Sequence, residues 1–89
     1  MIEHDVEIIN RLGLHARAAA KLVDCAAKFS SKIMVGKDGN MVDAKSIMSV
    51  MMLAAGKGSV LKLTINGRDE HDAGQAIIAL IEDRFGEPD

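Results

Sequence analysis

Ile2-Glu3-His4-Asp5-Val6-Glu7-Ile8, followed by Asn10-Arg11-Leu12-Gly13 and then His15-Ala16-Arg17-Ala18-Ala19-Ala20-Lys21-Leu22-Val23, changes its hydrophobic period once. That change separates a first strand from a first helix. In the first run Ile2, His4, Val6 and Ile8 share one face and Glu3, Asp5 and Glu7 the other, the alternation of a strand with one wet side. Asn10 to Gly13 break the run. From His15 or Ala16 to about Phe29 the spacing is helical, with Ala19, Leu22, Val23, Ala26 and Ala27 in one stripe, and the many alanines add helix propensity. The chain therefore opens strand, loop, helix.

Beyond the first helix, Ile33 and Val35 alternate again, and Lys37-Asp38-Gly39-Asn40 offers a tight turn into Met41-Val42-Asp43, a hairpin signal. Ser46 to Ala54 reads as a short helix with Ser46 as N-cap, ended by Gly56-Lys57-Gly58. Val60 to Asn66 is a further strand, closed by Asn66-Gly67. Asp69 is suited to cap the last helix, and Asp72 three positions on resembles a weak capping box. Ala73, Ala76, Ile77, Leu80 and Ile81 then recur at helical spacing, and Gly86 offers a stop. The order β-α-β-β-α-β-α gives an α+β sandwich. Its sheet buries one face beneath three helices, and the two long ones supply most of the core.

Composition narrows the function. A chain of 89 residues suits one domain, residues 1–89, and 48% hydrophobic with 27% charged residues is a globular balance. A net charge of −2, two Phe and no Trp or Tyr argue against nucleic acid as a partner. A lone Cys25 forms no internal disulfide and fits a reducing cytosol. The start lacks a signal-peptide pattern, and the apolar run Ile47 to Ala55 is too short for a membrane span. A cytoplasmic protein without membrane insertion is expected. His4 and His71 have no ligand spacing with His15, so neither a metal nor a cofactor is expected.

The chemistry concentrates in Gly13-Leu14-His15-Ala16-Arg17. A helix start carries unpaired N–H groups and partial positive charge, which hold an anion, and Arg17 adds a charge-assisted contact. A neutral imidazole there is a nucleophile through one ring nitrogen, so the group can carry phosphate. A histidine that only packs or caps is the plainer alternative on position alone. Ser46 on its own is most simply a cap. Ile47, Met48, Val50, Met51, Met52 and Leu53 are too apolar for a single buried stripe, which leaves methionines for a docking patch. Arg11, Lys21 and Lys45 are candidates for a positive rim around His15 that would suit an acidic partner, although scattered solvated cations are the commoner case.

Gly13-Leu14-His15-Ala16-Arg17 with Ala18-Ala19-Ala20 resembles the phosphohistidine motif of the HPr family, the histidine phosphocarriers of the bacterial phosphoenolpyruvate-dependent phosphotransferase system. Val42-Asp43-Ala44-Lys45-Ser46-Ile47-Met48 resembles the regulatory-serine segment of the same family. The two are in register, and the resemblance spans essentially the whole chain. It implies an open-faced β-sandwich with a four-stranded antiparallel sheet. It also implies that His15 accepts phosphate through Nδ1 from enzyme I and passes it to an enzyme IIA component. Arg17 would steady the phosphate, Ser46 would be the substrate of an HPr kinase/phosphorylase, and Lys45, Ile47, Met48 and Met51 would dock partners. One departure is Ala18, where many relatives have proline.

The expected protein is a stoichiometric carrier, not an enzyme, and a monomer suits a shuttle. A nitrogen-branch or purely regulatory paralogue would share the same motifs. A non-covalent α+β regulatory module is a rival that leaves the paired motifs unexplained.

Overall fold

In the computed structural model, which describes residues 1–89, the change of period falls where a strand gives way to a helix. The elements are β1 (Ile2–Glu7), α1 (Ala16–Ala27), β2 (Lys32–Lys37), β3 (Asn40–Asp43), α2 (Ile47–Met51), β4 (Val60–Asn66) and α3 (Glu70–Glu82). A 3-10 turn, Arg84–Gly86, follows α3. The order β-α-β-β-α-β-α is the one the periodicity predicts. No helix is long and apolar enough to cross a membrane.

The four strands form one sheet in the order β1-β4-β2-β3. Every neighbouring pair is antiparallel, with Val6 opposite Leu61, Val35 opposite Leu63 and Val35 opposite Val42. The β2–β3 hairpin turns through Asp38 and Gly39, both in the left-handed region (φ 53° and 85°), as a tight two-residue turn between twisted strands requires. Along β4, Leu61, Leu63 and Ile65 are buried while Val60, Lys62 and Asn66 are exposed, so the sheet is open on one side. Ala18, Ala19, Leu22 and Ala26 of α1 join Ala73, Ile77 and Ile81 of α3 in the core under those leucines.

The details of the helices depart from the periodic reading. The buried stripe of α1 is rotated toward Ala18, leaving Val23 half-buried and Ala27 exposed. Small side chains on that face let α1 lie close to its neighbours. The α-helix stops at Ala27 because Lys28 N–H and Phe29 N–H turn to carbonyls three residues back, Cys25 (3.2 Å) and Ala26 (3.2 Å). In the same way α2 ends at Met51, after which Leu53 N–H and Ala54 N–H tighten onto Val50 and Met51.

No side chain caps α3. The carboxylate of Asp69 is turned away to Ser30 and Ser31, and Glu70 Oε1 accepts from Gly67 N–H at 3.1 Å. The last helix ends at Glu82, ahead of Gly86. Arg84, Phe85 and Gly86 then run through positive φ (56°, 55° and 79°), which reverses the chain. Phe85 is driven fully into the core by that reversal, and its burial anchors the tail.

Candidate functional site

The site is built on the loop between β1 and α1. Ladder bonds continue past β1, with Ile8 N–H on Ser59 O (2.8 Å) and Gly58 N–H on Ile8 O (2.7 Å). Asn10 is fully buried and its Nδ2 donates to Gly13 O at 2.7 Å, while Gly13 N–H returns to Asn10 O at 3.1 Å. Gly13 has φ +68°, and a Cβ there would stand 2.7 Å from Ala55 O, so only glycine fits without displacement. Leu14 N–H donates to that same Ala55 O at 2.8 Å. The loop is thus held from three sides before it reaches His15.

His15 precedes α1 in an extended conformation (φ −73°, ψ 177°), and its ring makes no cap bond to the helix. Its carbonyl accepts from Ala19 N–H at 2.8 Å. The first-turn N–H groups of Ala16, Arg17 and Ala18 therefore stay free of side-chain caps, and their partial positive charge opens beside the ring.

The imidazole is 28% exposed, and its Nε2 meets the carboxylate of Glu87, which is 17% exposed. Asn10 Nδ2 donates to the other oxygen of that carboxylate at 2.9 Å. The hydrogen bond from Asn10, followed by that of His15, holds the Glu87 carboxyl below the usual glutamate range. The tail carrying Glu87 is fastened at both ends. Lys21 Nζ donates to Phe85 O (2.6 Å), and Arg11 N–H donates to Asp89 O (2.6 Å) beside an Arg11–Asp89 ion pair (3.4 Å). Arg17 is exposed and unpaired, and with Arg11, Leu12, His15, Glu87, Pro88 and Asp89 it lines a shallow pocket of about 200 Å³.

Ser46 stands at the start of α2, where its Oγ accepts from Ser49 N–H at 3.4 Å. The cap expected from sequence is therefore made. In α2 only Val50 is buried, and Met48 is 69% exposed, with Met52 (79%) and Leu12 (58%) also in solvent. Ile47 and Met51 are exposed to a lesser degree. The candidate rim of cations does not assemble around His15. Lys45 donates to Phe29 O at 2.7 Å, beyond the far end of α1, about 20 Å along the helix axis from His15 at 1.5 Å per residue. Lys21 is spent on the tail carbonyl, and of the three only Arg11 lines the pocket.

Two residues of the site escape sequence reading, Asn10 and Glu87. They lie 77 positions apart, and no spacing rule connects a loop asparagine with a C-terminal glutamate. Cys25 of α1 is half-buried, and burial pushes its thiol up.

The fold and this loop define a class, the open-faced β-sandwich domains with a histidine at the start of the first helix. The family model described as "PTS HPr component phosphorylation site" matches residues 2–83. The phosphocarrier protein HPr of Cupriavidus necator is 55% identical over 98% of each chain. A crystal structure of HPr-C-His from Thermoanaerobacter tengcongensis superposes with a TM-score of 0.94 at 52% identity, covering 98% of both chains. A crystal structure of an HPr dimer from the same organism matches with a TM-score of 0.79 at 52% identity, over 98% of this chain and 100% of that one. The chain belongs to the HPr family, the phosphocarrier proteins of the phosphotransferase system.

Proposed function

We propose that residues 1–89 act as a single-domain, monomeric, cytoplasmic phosphocarrier that accepts a phosphoryl group on Nδ1 of His15 from enzyme I and gives it to an enzyme IIA component. The observation that carries this reading is the free helix start of α1 beside the His15 ring, with the unpaired guanidinium of Arg17 on the same pocket. The lone pair of Nδ1 attacks phosphorus, the bond from phosphorus to the donor breaks, and its electron pair stays with the donor. The arriving oxygens find the first-turn N–H groups and Arg17. These ligands are few, so the phosphate is held loosely enough to leave again. The chain is a carrier and not a catalyst, because each partner must supply the rest of the reaction site.

Ser46 is read as a regulatory phosphosite for an HPr kinase/phosphorylase, and Ile47, Met48 and Met51 as docking residues. Lys45 is left out of the docking set, since its ammonium is already bound to the Phe29 carbonyl. Incubation with phosphoenolpyruvate and enzyme I, followed by mapping of the modified atom, tests the reading. An acid-labile phosphoryl group on His15 is expected, absent from His15→Ala. Arg17→Ala should still be modified but more slowly, through loss of a contact worth about 1.5–3 kcal/mol. Equal phosphorylation of His15→Ala would sink the proposal.

A further inference from the structure

The ring of His15 is engaged by the protein through Nε2, by a carboxylate that is itself held on both sides. Asn10 cannot turn its amide over. The nitrogen that donates to Glu87 Oε1 also donates to Gly13 O, so a flip would set the amide oxygen against a carbonyl. Glu87 therefore faces a fixed donor on one oxygen, and its carboxyl, held below the usual range, stays an acceptor on the other.

A neutral imidazole facing that acceptor must carry its proton on Nε2. We infer that Glu87 is a positioning residue for phosphoryl transfer: its carboxylate keeps the proton on Nε2 of His15 and so reserves the lone pair of Nδ1 for phosphorus. The inference rests on the carrier reading of His15 and adds to it a residue outside both sequence motifs. It also gives the tail, anchored by the buried Phe85 and fastened by Lys21 and Arg11, a task at the site.

The proton balance supports the assignment. When Nδ1 takes the phosphoryl group and the donor keeps the electron pair of the broken bond, the ring retains its Nε2 proton and becomes cationic. Glu87 then pairs with a charged ring, as a carboxylate does behind an active-site imidazole elsewhere. On transfer to the acceptor the ring leaves as a neutral imidazole with Nε2 still protonated. No proton has to move in either direction. The other charged groups at the pocket are Arg17 on α1 and Arg11 and Asp89, which pair with each other; Lys21, outside its lining, is directed to Phe85 O. None of them bonds to Nε2.

The geometry makes an unusual demand of the amide variant. In Glu87→Gln the locked Asn10 donor claims the single amide oxygen, which leaves the NH₂ pointing at Nε2. The ring must then accept there and move its proton to Nδ1, the atom meant for phosphorus. Glu87→Ala removes the bias without imposing the wrong tautomer. The conservative swap should consequently do more harm than the truncation.

The experiment uses residues 1–89 with ¹⁵N-labelled histidine, recorded across a pH series up to the alkaline plateau of the ring-nitrogen shifts. The ring-nitrogen shifts should place the proton on Nε2 in wild type and on Nδ1 in Glu87→Gln. Phosphorylation by enzyme I and phosphoenolpyruvate should be slower by roughly tenfold in Glu87→Gln and by less than about fivefold in Glu87→Ala. Glu87→Asp should recover much of the Ala deficit. Backbone spectra outside the tail should be unchanged in all three. Wild-type tautomers in Glu87→Gln, or a rate no lower than that of Glu87→Ala, would overturn the role of Glu87 alone. A wild-type chain that enzyme I does not phosphorylate on Nδ1 would remove the carrier reading and this inference together.

Discussion

Asp69 and Ser31 lie 38 positions apart in sequence, and Asp69 Oδ1 accepts from Ser31 Oγ at 2.5 Å and from Ser31 N–H at 3.0 Å. Its second oxygen accepts from Ser30 N–H at 2.8 Å. Together these bonds tie the start of α3 to the segment that leads into β2. The Ser31 hydroxyl is the first cause, and the Ser30 N–H the next, of a carboxyl lowered from 3.8 to about 2.

Because the folded carboxyl is the stronger acid, its bonds stabilise the fold fully above 3.8, and that stabilisation is lost as pH falls through about 2. Asp69→Asn should melt several degrees below wild type at neutral pH. In thermal melts across pH the two curves should converge between 3.8 and about 2. Ser31→Ala, which deletes one buried donor, should cost about 1–2 kcal/mol at neutral pH. A gap between Asp69→Asn and wild type that persists unchanged at pH 2 would contradict the assignment.

This pair also marks the boundary of what sequence reading reaches. An aspartate before a helix is most often a cap, and local rules see only its own helix. The partner that wins, Ser31, arrives through the tertiary fold. The alternation of Ile2 to Ile8, the Asp38-Gly39 turn and the alanine-rich helix were legible because each depends on neighbours a few residues away. The site was half legible for the same reason. Gly13, His15, Arg17 and Ser46 sit in two local motifs, whereas the Asn10–Glu87–His15 chain exists only once Phe85 has folded the tail back across the first loop.

Gly13 gives a second test of how tightly that loop is built. At φ +68°, with Ala55 O 2.7 Å from the place an added methyl would occupy, Gly13→Ala meets both backbone strain and a steric clash. A loss of about 2 kcal/mol or more is expected in denaturant unfolding. The displacement should pass directly to Leu14 and His15, so phosphorylation of the variant under native conditions should also slow. A fully stable Gly13→Ala would show that the loop relaxes freely, contrary to the bonds that hold it.

The apolar face of α2 predicts a separation of folding from docking. Met48 is 69% exposed, so Met48→Asp removes little core packing, while Val50 in the same helix is fully buried. Titration of enzyme I should give a weaker complex with Met48→Asp, by roughly tenfold for one lost apolar anchor of about 1–2 kcal/mol, with the melting temperature nearly unchanged. Val50→Ala should do the reverse, lowering stability by about 1–3 kcal/mol with binding of the folded fraction preserved. Wild-type affinity in both Met48→Asp and Met51→Asp would leave α2 without a docking role.

Ser46 joins the docking surface to regulation. Its Oγ caps the five-residue α2 through Ser49 N–H, and the exposed methionines begin two positions later. Phosphorylation would place about −1.5 to −2 charges at that cap. The helix start accommodates negative charge, and aspartate is itself a good cap, so Ser46→Asp should fold with little change in melting temperature. The effect should fall on the incoming partner, which meets a negative field beside the apolar patch. Phosphorylation of His15 by enzyme I should therefore be slower in Ser46→Asp at low salt. The deficit should shrink as salt rises, since exposed charges are screened over about 8–10 Å at ordinary ionic strength. Ser46→Ala separates the two roles of the residue. It loses the cap, at about 1 kcal/mol, but adds no charge, so it should melt lower and still be phosphorylated on His15 at the wild-type rate. If Ser46→Asp reacts as fast as wild type at low salt, Ser46 is a cap alone. If Ser46→Ala slows transfer as much as Ser46→Asp does, the shape of α2 and not its charge controls docking.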